Sequence, residues 1–507
     1  MKNLFTLLLL VGALSSQAQQ NKLLDQAFWK SLPDANAVKS AVADGNSPSQ
    51  FNGNSFDPVV LAINAGAPNE SIEYLLSQPG NEVTKPTHDG RIYLHWAANK
   101  GNVELVKYLL DKGSKTSLMD SHGTTPMLFA AGAGQTNVQI YEQFLSHGVD
   151  LKTDLNQDGA NALLAGIAND KELTLTNYFI SKGLEINSVD AAGNNAFSYA
   201  ARSGNIELLK KLVEKGVKPN STAVLMAAQA GGGRNGGNII GLPVYQYLES
   251  LNLKPNVKGK GGETALHYVV RKPNQLEVIQ YFLSKGVDVN QPDENGNTAF
   301  MNAAASTRDT AVLALLAPKV KDVNLANKKG QTALMLAVGN NTAGVINYLI
   351  AKGASVTAVD KNGNNLAYYI VDAYRTQQGQ GGPAAQGSTP RQDDFDTKLA
   401  ILKDKGLNIA AQQKNGNTLY HVAVAKGNLA LLKRLEPLGI DVNARNTEGL
   451  TALHKAAMIA KDDTIMKYLL SIGAKKDAVT NFKETAFDLA SENESLTKNN
   501  TSVNFLK

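Results

Sequence analysis

Apolar and polar positions along the chain alternate in short blocks that read as pairs of helices rather than strands. A segment rich in alanine and small apolar residues comes first in each block, as in Thr264-Ala265-Leu266-His267 or Gln331-Thr332-Ala333-Leu334. A second follows with larger residues at helical spacing, as in Val103-Glu104-Leu105-Val106-Lys107-Tyr108-Leu109-Leu110. Spacing of this kind predicts helices that bury one face. Most second segments end on a pair such as Lys112-Gly113, Lys182-Gly183, Lys285-Gly286 or Lys352-Gly353. A short extended piece comes next, for example Val287-Asp288-Val289-Asn290 or Ile440-Asp441-Val442-Asn443. Strand content is expected to be close to nil outside the tips of hairpins.

The blocks repeat. Gly90, Gly123, Gly159, Gly193, Gly262, Gly296, Gly330, Gly363, Gly416 and Gly449 recur at intervals of 33 to 36 residues, broken once by 69 and once by 53. The longer gaps imply one repeat without its glycine and one carrying an insertion. A glycine after the second helix ends it cheaply in the left-handed conformation, and a Thr hydroxyl caps the first helix. One such unit cannot close a core, so only stacking of successive units buries the apolar faces.

These units resemble ankyrin repeats, whose pattern is Gly-x-Thr-Pro-Leu-His-x-Ala-Ala, then Gly-Asn or Gly-His and an apolar helix. The resemblance covers about residues 21–492. The family proline is usually alanine here (Ala265, Ala333, Ala452) and survives at Pro126, while the motif histidine survives as His95, His267, His421 and His454. It implies an all-α solenoid of helix-turn-helix units with short hairpin fingers, about 12–13 repeats counting the caps. The expected division is a leader at 1–18, a capping repeat at 19–55, a first block at 56–220, an irregular repeat at 221–261, a second block at 262–482, and a cap with frayed tail at 483–507.

Three places depart from the pattern. After Lys215-Gly216 the chain runs through Pro219 into the next helix, so a shortened finger is expected there. The glycine-rich segment 230–242 follows a helix and lacks the Lys-Ser/Thr ending of a phosphate loop, so it reads as an inter-helix loop. Segment 375–394 is rich in Gly, Gln, Pro and Ser, a composition that reads as disordered. Both insertions fall between a first and a second helix and so emerge on the same edge of the array.

Length and composition narrow the function. A chain of 507 residues exceeds a single core. The absence of cysteine excludes thiolate catalysis, disulfides and cysteine-held metals. Net charge is +5, too little over this length to imply nucleic acid by itself. Lys2, the apolar run from Leu4 to Leu14 and Ser16-Gln17-Ala18 have the form of a cleaved signal peptide. An exported, periplasmic rather than extracellular, protein is therefore expected, with no membrane span in the mature chain.

Catalytic chemistry finds no anchor. No Gly-x-Ser-x-Gly, His-Glu-x-x-His or Walker sequence is present. His88 and His122 sit beside adjacent finger glycines and could share a metal, but no third ligand is evident. His147 precedes Gly148 at a helix end, where a cation favours the dipole. The resemblance implies that His95, His267, His421 and His454 bond neighbouring hairpins, and that Asp120, Asp190 and Asp360 brace them. No cofactor and no enzymatic activity are expected.

Binding is the expected function. The family builds its concave face from hairpin tips and first helices, which by register places His88, Arg91, Asn99, Lys100, His122 and Arg202 there in the N-terminal half. In the C-terminal half the same register selects Lys258, Lys260, Arg271, Lys272, Lys328, Lys329, Lys361, Lys414 and Lys426. Asp158, Glu263, Glu294 and Glu448 are the acidic candidates. A basic stripe of this kind would steer an acidic partner. The leading expectation is a monomeric scaffold for a partner protein, with no small-molecule substrate. Alternatives are a binder of an acidic envelope polymer or nucleic acid, and an inhibitor or immunity-type protein. Nucleic acid is disfavoured because Trp29 and Trp96 are the only tryptophans and both read as structural.

Overall fold

Short helices whose apolar residues cover one face build the whole of the described chain. The computed structural model describes residues 21–231, 238–374 and 394–507. The leader, the centre of the glycine-rich segment and nearly all of the 375–394 insertion lie outside the described residues. Among the described residues twenty-eight α-helices fall into consecutive pairs, and no sheet forms. Only isolated antiparallel bridges occur, at Val189–Asn195, Ala326–Thr332 and Val479–Thr485, each closing a finger. The chain divides into two compact units, Met1–Ala196 and Phe197–Lys507.

Within each unit the first, or inner, helix of a pair packs on the inner helix of the next pair, and outer helices do likewise. Inner helices allow this close approach by burying small residues, such as Ala97 and Ala98, Ala130 and Ala131, or Ala303 and Ala304. Outer helices supply bulk: Leu105, Val106 and Leu109 in the first unit, Val345, Ile346 and Leu349 in the second, all fully buried. Thr125, Thr298, Thr332 and Thr451 cap inner helices through their hydroxyls.

The C-terminal segment is folded rather than frayed. Helices Ala486–Glu492 and Glu494–Lys498 form a final pair that buries Leu496, and Leu506 is buried beyond it. Asn493 ties this pair down by donating to Ala457 O and Ala460 O of the preceding inner helix, each at 2.9 Å. The polar composition of 491–498 conceals the one leucine that docks the segment. In the second unit the helix Ile206–Glu214 leads to Thr222–Gln229 with only a short connection and no glycine-tipped finger.

Candidate protein-binding surface

Most fingers are tight turns closed by their first side chain. Asp120 Oδ1 accepts from His122 N at 2.9 Å and Thr124 N at 3.0 Å, and Asp190 and Asp360 do the same in their own fingers. Asn156, Asn327 and Asn446 substitute for Asp with the same geometry. The glycine three residues on has positive φ and meets the next finger: a Cβ on Gly330 would lie 2.5 Å from Lys361 N, and one on Gly416 would lie 2.7 Å from Asn446 Cα. Two fingers without glycine escaped the pattern. Ser55 (φ 58) and Lys483 (φ 65) take its left-handed position at 52–56 and 480–484.

The motif histidines bind the fingers to the helices. In His267, His421 and His454, Nδ1 accepts the backbone N–H of the preceding Thr, leaving Nε2–H to donate to Asn297 O, Leu450 O and Ala478 O of the next repeat. His95 bonds Ile92 N and Thr124 O in the same way. Burial pushes all four below the usual histidine range, His95 to about 4. They are neutral structural bridges with both ring nitrogens committed to backbone groups.

In the first unit the finger residues largely satisfy one another. Asp89 is in the left-handed region (φ 55), and its carboxylate meets Arg91 at 3.0 Å, His122 at 3.4 Å and His88 at 3.5 Å. His88 donates from Nδ1 to Asn54 O at 2.8 Å and stacks against Phe56. No group of three or more metal-ligating side chains able to hold an ion occurs among the described residues. A metal shared by His88 and His122 is not supported, since the Arg91 guanidinium holds the same carboxylate.

Arg91 itself corrects the expectation that it faces a partner. Its side chain is mostly buried, bonded to Asp89 and Asp120, with its guanidinium 4.4 Å from the Phe129 ring centroid and 5.3 Å from that of Trp96. It is a brace between finger and inner helix. Lys100 and His122 are exposed.

In the second unit Arg202, Lys258, Lys260, Arg271, Lys328, Lys329, Lys361, Lys414 and Lys426 are exposed. Lys272 is not, which is a second correction. It is 8% exposed, and its ammonium reaches Ala228 O and Ala230 O at the end of the inner helix Thr222–Gln229. Burial lowers its pKa to about 8. Lys426 does a similar job, donating to Asp372 O at 2.5 Å at the end of the inner helix Leu366–Ala373. Both helices immediately precede an insertion in the sequence, and the carbonyls named lie at their ends. A cation from the next repeat satisfies those carbonyls and complements the helix dipole.

Lys328, Lys329, Lys361 and Lys414 sit on three successive fingers, and none makes an ion pair among the described residues. Hydrogen bonds between repeats fix the order of these fingers. Lys361 N donates to Lys329 O at 3.0 Å, and Asn365 N donates to Gln413 Oε1 at 2.8 Å. In the same repeats the fourth residue of each inner helix is half-buried: Leu336, Tyr369 and Val422. Tyr369 joins inner helix to finger, its OH donating to Asp360 Oδ2 at 2.7 Å and accepting from Gln331 Nε2 at 3.2 Å.

A polar cluster in the first unit was invisible to spacing. Asp57 is fully buried, caps the helix Pro58–Ala65 through Val60 N, and accepts from Lys85 Nζ and Tyr93 OH, each at 2.6 Å. Lys85 also donates to Asn81 Oδ1 and Ser49 O, which completes its shell. With every partner supplied by the protein, the cluster is a structural lock.

Family models describe the same units. The model for ankyrin repeats (3 copies) matches residues 59–153, 137–223, 241–321, 394–480 and 420–506, and the single ankyrin repeat model matches 329–361. The chain belongs to the ankyrin repeat family. Among curated proteins it is 32% identical over 99 residues to protein phosphatase 1 regulatory subunit 27 of Homo sapiens, covering 20% of this chain and 64% of that one. It is 31% identical over 155 residues to an L-asparaginase of Dirofilaria immitis, covering 30% and 26%. It is 26% identical over 132 residues to a RelA-associated inhibitor of Mus musculus, covering 26% and 16%. The chain thus spans less than two thirds of the length of each of these relatives. No helix among the described residues is long and apolar enough to cross a membrane.

Proposed function

We propose that the protein is a non-enzymatic scaffold that binds a partner protein through its fingers and the adjoining inner-helix face. The observation that carries this reading is the row of exposed lysines on three successive fingers, in repeats that each hold a half-buried side chain on the inner helix. Some other polar side chains of comparable reach find partners within the fold, as Lys85, Arg91 and Lys272 do. Relatives named as a regulatory subunit and an inhibitor support binding over catalysis. The match to an L-asparaginase is partial, covering only 26% of that protein. Lys2, the run Leu4 to Leu14 and Ala18 support export to the periplasm, with the mature chain starting near Gln19.

Site-specific photo-crosslinking in living cells tests the scaffold. A crosslinker at Lys329 or Leu336 is expected to trap one discrete partner. The same group at Lys107, on an outer helix, is expected to trap none. Trapping only from the outer helix, or from neither position, refutes the reading. Mass spectrometry of the purified chain locates its first residue and decides the question of export.

A further inference from the structure

The three lysine-bearing fingers of the second unit have a definite length as well as a sign. The finger before them, 293–297, carries exposed Glu294, and the finger after them, 446–450, carries exposed Glu448. The basic tract is therefore bounded on both sides by carboxylates that would repel an acidic ligand running further. Each of the same three repeats also holds a half-buried side chain at the fourth position of its inner helix, Leu336, Tyr369 and Val422, and Tyr369 is bonded to two of the fingers.

We propose that this tract binds an extended acidic peptide segment of a partner protein, with a carboxylate at about every third residue and apolar side chains between them. The inference rests on the reading of the chain as a protein-binding scaffold. The period follows from two lengths. Packed helices lie about 8–10 Å apart, so successive fingers are offset by about that distance. A chain extended in the polyproline II conformation rises about 3.1 Å per residue with three residues per turn, so every third side chain faces the same way and about three residues pass from one finger to the next. Three fingers then take three carboxylates within about seven residues. Nucleic acid and polyphosphate satisfy the charge but have no apolar side chains for the inner helices, and they repeat charge more closely than the fingers do.

The test uses the full chain and fluorescein-labelled synthetic peptides. The probe is a nine-residue peptide with Glu at positions 2, 5 and 8 and Leu, Val or Thr elsewhere. A control of the same composition has its three Glu adjacent, and an eight-nucleotide thymidine oligomer serves as the alternative anion. The in-register peptide is expected to bind at least tenfold more tightly than either. The variant K329E/K361E/K414E is expected to lose at least tenfold in affinity with its melting temperature unchanged. Equal binding of the adjacent-Glu peptide, or tighter binding of the oligonucleotide, overturns the proposal. So does peptide binding that survives the triple variant. If none of the probes binds while Lys329 still crosslinks a protein in cells, the acidic register falls and the scaffold stands. Loss of both signals removes the two together.

Discussion

The fingers at 87–91 and 120–124 in the first unit and those at 327–331, 360–364 and 413–417 in the second are built for different ends. In the first set Asp89, Arg91 and Asp120 neutralise one another, and Arg91 lies flat on Phe129. In the second set Lys328, Lys329, Lys361 and Lys414 have no acidic partner among the described residues. Both sets fold by closely related turns, with a polar side chain at the first position and a positive-φ glycine at the fourth. The backbone device therefore leaves the tip side chains free of structural duty. Charge at a tip is either consumed within the fold, which stiffens the finger, or left available to a ligand. An exposed lysine contributes little to stability, whereas a buried pair broken on one side costs heavily.

The largest difference between the units should appear when Asp57 is removed. Asp57→Ala removes the carboxylate that neutralises the mostly buried Lys85 and accepts from Tyr93 OH, and it uncaps the helix 58–65. It is expected to cost about 3–5 kcal/mol locally. Hydrogen exchange of the amides in 58–65 reads that loss directly. Lys328→Glu or Lys361→Glu should change exchange in the second unit by no more than about 0.5 kcal/mol. Comparable losses in both experiments would erase the distinction between the two kinds of tip and core polar group. Lys272→Glu belongs with Asp57→Ala, because it sets a carboxylate against Ala228 O and Ala230 O.

Acid should expose the next difference. His95 is neutral and buried, with its folded pKa depressed to about 4 from 6.5. Unfolded chain then binds more protons than folded chain between these values, so stability present above pH 6.5 is lost as pH falls toward 4. The loss is about 3 kcal/mol for this residue. Asp154 runs the other way: burial raises its pKa to about 6 against the hydrogen bond from Thr125. Its folded form gains stability on acidification through the same range, so Asp154→Asn steepens the acid loss in the first unit. Urea unfolding from pH 7 to pH 4.5 measures both slopes. His95→Leu, which reproduces the residue at Leu128 one repeat later, should flatten the curve of the first unit.

How far the sequence carried the structure depends on whether a role is local. Finger glycines, capping threonines and motif histidines act within four or five residues or on the next repeat, so periodicity revealed them. The fingers at 52–56 and 480–484 were missed because Ser55 and Lys483 adopt a backbone conformation that composition assigns to glycine. Asp57, Lys85 and Tyr93 meet across 28 and 36 residues, and no spacing rule links them. Register placed Lys272 and Lys426 among surface cations, correctly at the ends of inner helices. What register cannot show is that the preceding helix ends at an insertion with carbonyls still to be satisfied. Lys328, Lys329, Lys361 and Lys414 are exposed on their fingers as register implies, because the finger turn asks nothing of the side chain at those positions.

The smallest effect compares one position in both units. Asn102 begins the outer helix Val103–Asp111 after Gly101, and its Oδ1 accepts from Leu105 N at 3.0 Å. Gln275 holds the same position before Leu276–Ser284, preceded by Asn274, whose φ of 55 fills the glycine's conformation. One methylene longer, Gln275 makes no cap, and its Oε1 is buried without a partner. Gln275→Asn should therefore raise the stability of the second unit by about 1 kcal/mol, gaining a cap and removing an orphaned acceptor. Asn102→Gln should lower that of the first unit by a similar amount. Exchange rates of the amides at 276–284 and 103–111 report the two changes separately. Opposite and roughly equal shifts would show that the outer-helix start is one interchangeable part in both units. A gain from Gln275→Asn without the matching loss would mean that the neighbours of Asn102, not the cap, hold that helix start.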